Sequence, residues 1–187
     1  MKIVLASASA RRREILSMVC SDFDIRVANA DESYNGENVY EWIQALATKK
    51  AMGVEAQQGE LVIGADTIVY HNGALLGKPK SRAEAISMLK SMSSTSHEVI
   101  TGICVLYNGK AYTAYEKTIV HVRELTDSEI EKYVDTCEPY DKAGAYGIQE
   151  MAGAFIKKID GDFFNVVGLP LCRLCELIKE KLGVSLI

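Results

Sequence analysis

The stretch from Leu61 to Pro79, LVIGADTIVYHNGALLGKP, constrains the fold more than any other part of the chain. It opens on Leu61, Val62 and Ile63, a continuous apolar run typical of strands buried on both faces of a sheet. Gly64 and Ala65 break the run and deliver one acid, Asp66, followed by Thr67. After Ile68, Val69 and Tyr70, the pair Asn72-Gly73 supplies the positive φ angles of a two-residue type I′ turn. A return strand should follow, ending at Gly77-Lys78-Pro79. An acid at the end of a buried strand and a lysine at the end of its hairpin can face one cleft. Equally, Asp66 can cap a turn and Lys78 can be a solvated surface residue. The segment from Gly73 to Lys78 is not a P-loop: its spacer is one residue short, and Pro79 stands where a magnesium-binding Ser or Thr would begin a helix.

The flanking sequence is mixed α/β. Residues 2–6 read as a strand that runs into a polar loop containing Ser7. A helix capped by Ser9 follows, with Arg11, Arg12 and Arg13 in its first turn and an apolar face begun by Ile15, Leu16 and Val19. A helix N-terminus attracts anions through its unpaired N–H groups and its dipole, and arginine adds two-pronged contacts to phosphate oxygens. The plainer alternative is a solvated basic helix start, and three consecutive arginines cannot share one helix face. Residues 23–28 alternate like a strand, and Asp31 and Glu32 follow in a polar loop. Asn38 then caps a helix in a capping-box arrangement with Glu41. Val39, Trp42, Ile43 and Leu46 form its inward stripe, and the next position in phase is Lys50. An inward lysine is costly unless it meets a charge or a cleft, so Lys50 is a better functional candidate than its neighbour Lys49.

Beyond the hairpin, Ser81 with Glu84 and Thr126 with Glu129 mark two more capped helices. Residues 97–107 read as a strand broken at Thr101-Gly102, and Asn108-Gly109 turns it into a second strand ending at Val122. Residues 138–149, EPYDKAGAYGIQ, have no amphipathic period and read as a loop entering a short strand over 155–159. Loops of this kind often carry binding groups on a rigid frame. Pro170 starts the last helix, with Leu171, Leu174, Cys175, Ile178 and Leu182 inward and Gly183 as its stop. No linker, repeat or low-complexity segment interrupts residues 1–187, so one domain is expected.

Composition narrows the function. A net charge of −4 argues against broad nucleic-acid binding, which needs a basic face. No run approaches a membrane span, and the apolar start at Met1 to Leu5 is too short for a signal peptide. A cytoplasmic protein with no membrane partner is expected. Five cysteines, an odd number, fit a reducing compartment. Cys172 and Cys175 form a lone CxxC with no second pair of ligands, and both are expected to pack as small hydrophobes. Basic residues gather at Arg11 to Arg13, Lys49-Lys50, Lys78 to Lys80 and Lys157-Lys158, while acids without helix partners stand at Asp31, Glu32 and Asp66. Bases around a few carboxylates suggest a polyphosphate held with a divalent cation, because magnesium takes one or two carboxylates plus substrate phosphates. In such chemistry the protein positions groups and neutralises charge while a base orients the attacking water. The residues by themselves reach a nucleotide or phosphate-ester enzyme.

Five ordered blocks go further: LASASARRREIL, VIGADTIV, LGKP, EPYDKAGAYGIQ and GDFFNVVGLP. Together, from Leu5 to Pro170, they resemble the Maf family of nucleoside triphosphate pyrophosphatases. The resemblance implies a fold like that of the inosine-triphosphate pyrophosphatases, with an elongated mixed sheet flanked by helices and two lobes around a central cleft. It implies hydrolysis of a nucleoside triphosphate to monophosphate and pyrophosphate with a divalent metal, Mg²⁺ or Mn²⁺. On that pattern Asp66 is the proton acceptor, Asp66 and Glu32 serve the metal, and Ser7, Arg11, Arg12, Lys50 and Lys78 hold phosphates. Arg12, Thr67 and Gln149 match the subgroup acting on dTTP and UTP, and the Trp and Gln that mark the 7-methyl-GTP subgroup are missing. Ala10 stands where many members have proline, which loosens the loop but removes no functional group. The family further implies a nucleotide-cleaning or division-arrest role, allows a homodimer, and leaves two competing readings: a pyrophosphatase for 7-methyl-GTP or another modified nucleotide, and a non-catalytic nucleotide-binding regulator of septum formation.

Overall fold

The computed structural model describes residues 1–27, 33–34, 38–136 and 138–187. Its strands are β1 (Lys2–Leu5), β2 (Phe23–Ile25), β3 (Glu60–His71), β4 (Ala74–Leu76), β5 (Ser96–Tyr107), β6 (Lys110–Val122) and β7 (Ile156–Asp160). Its helices are α1 (Ala10–Ser17), α2 (Val39–Met52), α3 (Arg82–Met92), α4 (Asp127–Val134), α5 (Phe163–Val167) and α6 (Leu171–Leu182). The seven strands form one mixed sheet in the order β2-β1-β3-β5-β6-β7, with β4 paired to β3. β1 is parallel to both β2 and β3, whereas β4 on β3 and β7 on β6 are antiparallel. The expected mixed sheet with flanking helices is therefore present.

The chain divides into two compact units: residues 1–67, 101–116 and 168–187, and residues 68–100 and 117–167. β3, β5 and β6 each run from one unit into the other. The first unit packs Val4, Ala6, Ala47, Ala51, Val54, Val62, Cys104 and Leu106 into one buried cluster, joining β1, α2, β3 and β5. The second buries Ala85, Leu89 and Met92 of α3 with Ile130, Tyr133 and Val134 of α4 and Val99, Val120 and Phe155.

Two expected strand breaks are absent, for one shared reason. β3 continues through Gly64 and β5 through Gly102. A Cβ on Gly64 would lie 2.8 Å from Ala51 N and 2.9 Å from Ala51 Cβ. One on Gly102 would lie 2.6 Å from the Ile43 carbonyl carbon and 3.0 Å from Gln44 N. Both glycines let the backbone of α2 settle directly on the sheet, a close approach that any side chain would block. Asp66 is thus inside a long strand and not at its end.

The turns follow the sequence. Asn72-Gly73 and Asn108-Gly109 take positive φ at all four residues, 49° and 81°, then 46° and 76°. Thr126 and Glu129 make a complete capping box. Asn38 accepts from Tyr40 N at 3.0 Å, but the Glu41 carboxylate meets the Asn38 side-chain amide instead of its backbone, so the second half of that box is missing. The expected loop over 138–149 contains two 3-10 turns, Glu138–Asp141 and Ala143–Ala145, and a third, Met151–Phe155, follows it and leads into β7. α5, which has no apolar period to announce it, was not expected. Cys175 is half-buried in α6, but Cys172 is exposed, contrary to the packing expected for both. They are one and four residues into the helix, so the helical period turns Cys172 away from the stripe of Leu171, Leu174 and Ile178.

Candidate active site

In the first unit, five of the expected site residues converge. β1 delivers Ser7, which is buried. Ser9 opens α1 by accepting from Arg12 N at 3.4 Å, and the first turn of α1 carries Arg12. α2 carries Lys50, and β3 carries Asp66 and Thr67. Lys50 Nζ donates to Asp66 Oδ1 at 2.7 Å, and Arg12 Nη2 stands 3.7 Å from the same oxygen. The lysine on the inward phase of α2 has therefore met a charge. The three side chains are 14% (Lys50), 11% (Arg12) and 15% (Asp66) exposed, so the ion pairs are largely but not fully withdrawn from water.

Arg12 is held from three sides. Its Nε donates to Gly168 O at 2.8 Å, Nη1 to Ser7 Oγ at 3.2 Å and Nη2 to Thr67 Oγ1 at 3.0 Å. The planar guanidinium spends its fork on fixed acceptors, which sets both its position and its plane. The Thr67 hydroxyl that accepts from Arg12 also meets Thr101 Oγ1 at 2.9 Å and Gly168 O at 3.3 Å. Gly168 adopts φ 128°, a region open to glycine and rarely to other residues, and its carbonyl accepts from both Arg12 and Thr67. Thr101, fully buried, and Gly168 were not singled out from the sequence. Thr101 lay in a supposed strand break, and Gly168 lay in one of the recognised blocks without a role of its own.

Lys78 and Gln149 belong to the second unit, and both are exposed. Their segments are joined by a hydrogen bond from Gly144 N to Gly77 O at 3.0 Å. Gly144 has φ 69°, and a Cβ there would stand 3.1 Å from both Val69 methyls. Arg11 is half-buried on α1, while Asp31 and Glu32 lie outside the described residues. Another basic residue of the second unit, Lys142, was passed over in the sequence although it sits inside a recognised block; only 6% of it is exposed.

Residues 2–181 match the family model described as Maf-like protein. The chain belongs to the Maf family. Relatives match over essentially their whole length. A "dTTP/UTP pyrophosphatase" of Alkaliphilus metalliredigens is 44% identical, over 100% of this chain and 99% of its own. Proteins of the same name from Clostridium novyi and Acetivibrio thermocellus are 46% and 47% identical, over all of this chain and 100% and 98% of theirs. Among solved structures, a HAM1 protein from Coxiella burnetii matches 65% of this chain and 73% of its own, with a TM-score of 0.42 and 14% identity. The blocks that carried the resemblance now have positions within this Maf-family chain: the serine-arginine block forms the β1–α1 corner, the Asp66 block lies in β3, and EPYDKAGAYGIQ contains the first two 3-10 turns. No helix among the described residues is long and apolar enough to cross a membrane.

Proposed function

We propose that this chain is a nucleoside triphosphate pyrophosphatase acting on UTP and dTTP. The observation that carries the reading is the Asp66 carboxylate, set on a sheet strand and bracketed by Lys50 and Arg12 beside the anion-attracting start of α1. In the proposed reaction Asp66 takes a proton from water as the water oxygen bonds to the α-phosphorus. The bond from that phosphorus to its bridging oxygen breaks, and pyrophosphate leaves with the electron pair. Lys50 fixes the carboxylate in one orientation, so the base does not have to be reoriented when the water arrives. Arg11 and the Ser7 loop supply positive charge and donors for the phosphates.

The proposed reaction uses a divalent ion, for which Asp66 is the carboxylate that the described residues offer. Among the described residues no group of three or more His, Cys, Asp or Glu is gathered to hold a metal. One or two carboxylates plus substrate phosphates suffice for magnesium, so Asp66 with Glu32 would hold an ion that arrives with the triphosphate. That ion would neutralise charge on the leaving pyrophosphate. Thr67 has a different part from the one its sequence position suggests: its hydroxyl is engaged by Arg12, Thr101 and Gly168, so it influences specificity by aiming Arg12. The pyrophosphatases named above match the chain from end to end, which supports the reading, and a cytoplasmic enzyme of the nucleotide pool is its setting. A panel of nucleoside triphosphates with Mg²⁺ or Mn²⁺, assayed separately for pyrophosphate and orthophosphate, tests it. UTP and dTTP should release pyrophosphate fastest, and a purine triphosphate turned over faster than both would overturn the proposed substrate class.

A further inference from the structure

Lys142 is a buried charge that the proposed reaction does not use. Its ammonium donates to Glu138 O, to Asp141 Oδ1 and to Glu150 Oε2, each at 2.7 Å. Those contacts occupy the three donors an ammonium has. Burial acts to lower its pKa, and the carboxylates of Asp141 and Glu150 outweigh burial, so the net shift is upward and the group stays charged. The stem of the side chain lies across Gly147: a Cβ there would stand 2.6 Å from Lys142 Cε and 2.8 Å from Cδ. Lys142 and Glu150 are therefore the two ends of a closed segment. Inside it, Ala145 N donates to Lys142 O at 3.2 Å and Glu150 N to Gly147 O at 3.2 Å. Ala145, fully buried, is held at φ 62°, a left-handed conformation that a side chain other than glycine adopts only when its surroundings impose it.

Gln149 sits at the end of this closed segment, next to Glu150. Resting on the reading of Gln149 as the group that meets the base, we propose that Lys142 is a positioning residue: its ion pair with Glu150 fixes the backbone from which Gln149 offers its amide. Glutamine identity alone does not select uracil. Its amide carries a donor and an acceptor, and by turning over it can present the opposite order, which suits cytosine. Selection requires a carrier held so that the amide approaches the ring along one path, with neighbours that favour one orientation. The closed segment supplies that carrier, and the Gly144 N to Gly77 O bond ties it to the strand end bearing Lys78. Glu150 is half-exposed, and without it Lys142 keeps Glu138 O and Asp141 Oδ1 as acceptors, so loss of the Glu150 contact is expected in discrimination more than in melting temperature.

The test measures kcat and KM for UTP and CTP side by side, with melting curves, for the wild type, Gln149→Ala, Lys142→Met and Glu150→Gln. Glu150→Gln keeps the size of a half-exposed side chain and serves as the deciding variant if Lys142→Met does not fold. The preference for UTP over CTP should fall at least tenfold in Glu150→Gln, and in folded Lys142→Met, chiefly through a raised KM for UTP. Glu150→Gln should melt close to the wild type. A preference within twofold of wild type in Glu150→Gln overturns the proposal while leaving the reading of Gln149 intact. A wild type without preference, or a Gln149→Ala variant that retains it, overturns that reading and this proposal with it.

Discussion

Gly64→Ala is the sharpest test of how the site is carried. A Cβ at that position would lie 2.8 Å from Ala51 N and 2.9 Å from Ala51 Cβ, and closer still to Ala47 O, all on α2. Ordinary contact begins near 3.4 Å, so α2 must lift by about 0.5 Å or more along this line, in an interior packed to crystal-like density. Overpacking of a well-filled interior costs roughly 1–3 kcal/mol, and two backbone atoms in the way place this case at about 3 kcal/mol. For a chain of this size that corresponds to a fall in melting temperature of roughly 6–12 °C. The same lift displaces Lys50, whose ammonium meets Asp66 at 2.7 Å, so turnover should drop more than the loss of folded protein explains. The assay is a thermal melt plus pyrophosphate release at a temperature where the variant is fully folded. Gly77→Ala is the stability control, because a Cβ there has nothing within 4 Å and its φ is not positive. A Gly64→Ala variant that melts within about 1 °C of the wild type would refute the explanation of this glycine as the seat of α2.

Other consequences follow from the same structure. Asp66→Asn keeps the shape and removes the base, so pyrophosphate release should fall roughly 10²–10⁴-fold with an unchanged circular dichroism spectrum; near-wild-type turnover would remove Asp66 from its role. CTP should be a poorer substrate than UTP by about two orders of magnitude, from two mismatched hydrogen bonds at the ring, and equal kcat/KM values for the two would refute the base-reading assignment. Burial, followed by the nearby His71, pushes the His97 imidazole from 6.5 down to about 4. Its contribution to stability is therefore complete above pH 6.5 and is lost as pH falls from there toward 4, by about 3 kcal/mol in total. His97→Gln should flatten that part of the stability profile in denaturant titrations, and an unchanged slope would show that His97 is protonated in the fold.

The sequence made the hairpins, the caps and the inward lysine legible because each is a local rule: Asn-Gly for positive φ, Thr126 with Glu129 for a helix start, and a period of 3.6 for Lys50. It misread Gly64 and Gly102 because a glycine that breaks a strand and one that admits a helix backbone look identical along the chain; only the packing of α2 separates them. The 3-10 turns were hidden for a related reason. Lys142 gathers three acceptors up to eight residues away in sequence around the first two turns, and no periodic pattern announces contacts of that kind. Among the site residues, Asp66, Lys50, Arg12 and Ser7 could be named from motif and phase. Thr101 and the Gly168 carbonyl could not, because what they contribute is a contact to Arg12 or Thr67 from strands and turns distant in the chain.

The proposed reaction rests on attack of water at the α-phosphorus. Turnover of UTP in ¹⁸O-labelled water, followed by mass spectrometry of both products, tests it most directly. Uridine monophosphate should carry one ¹⁸O and the pyrophosphate should be unlabelled. Label in the pyrophosphate, or the appearance of uridine diphosphate with labelled orthophosphate, would contradict it.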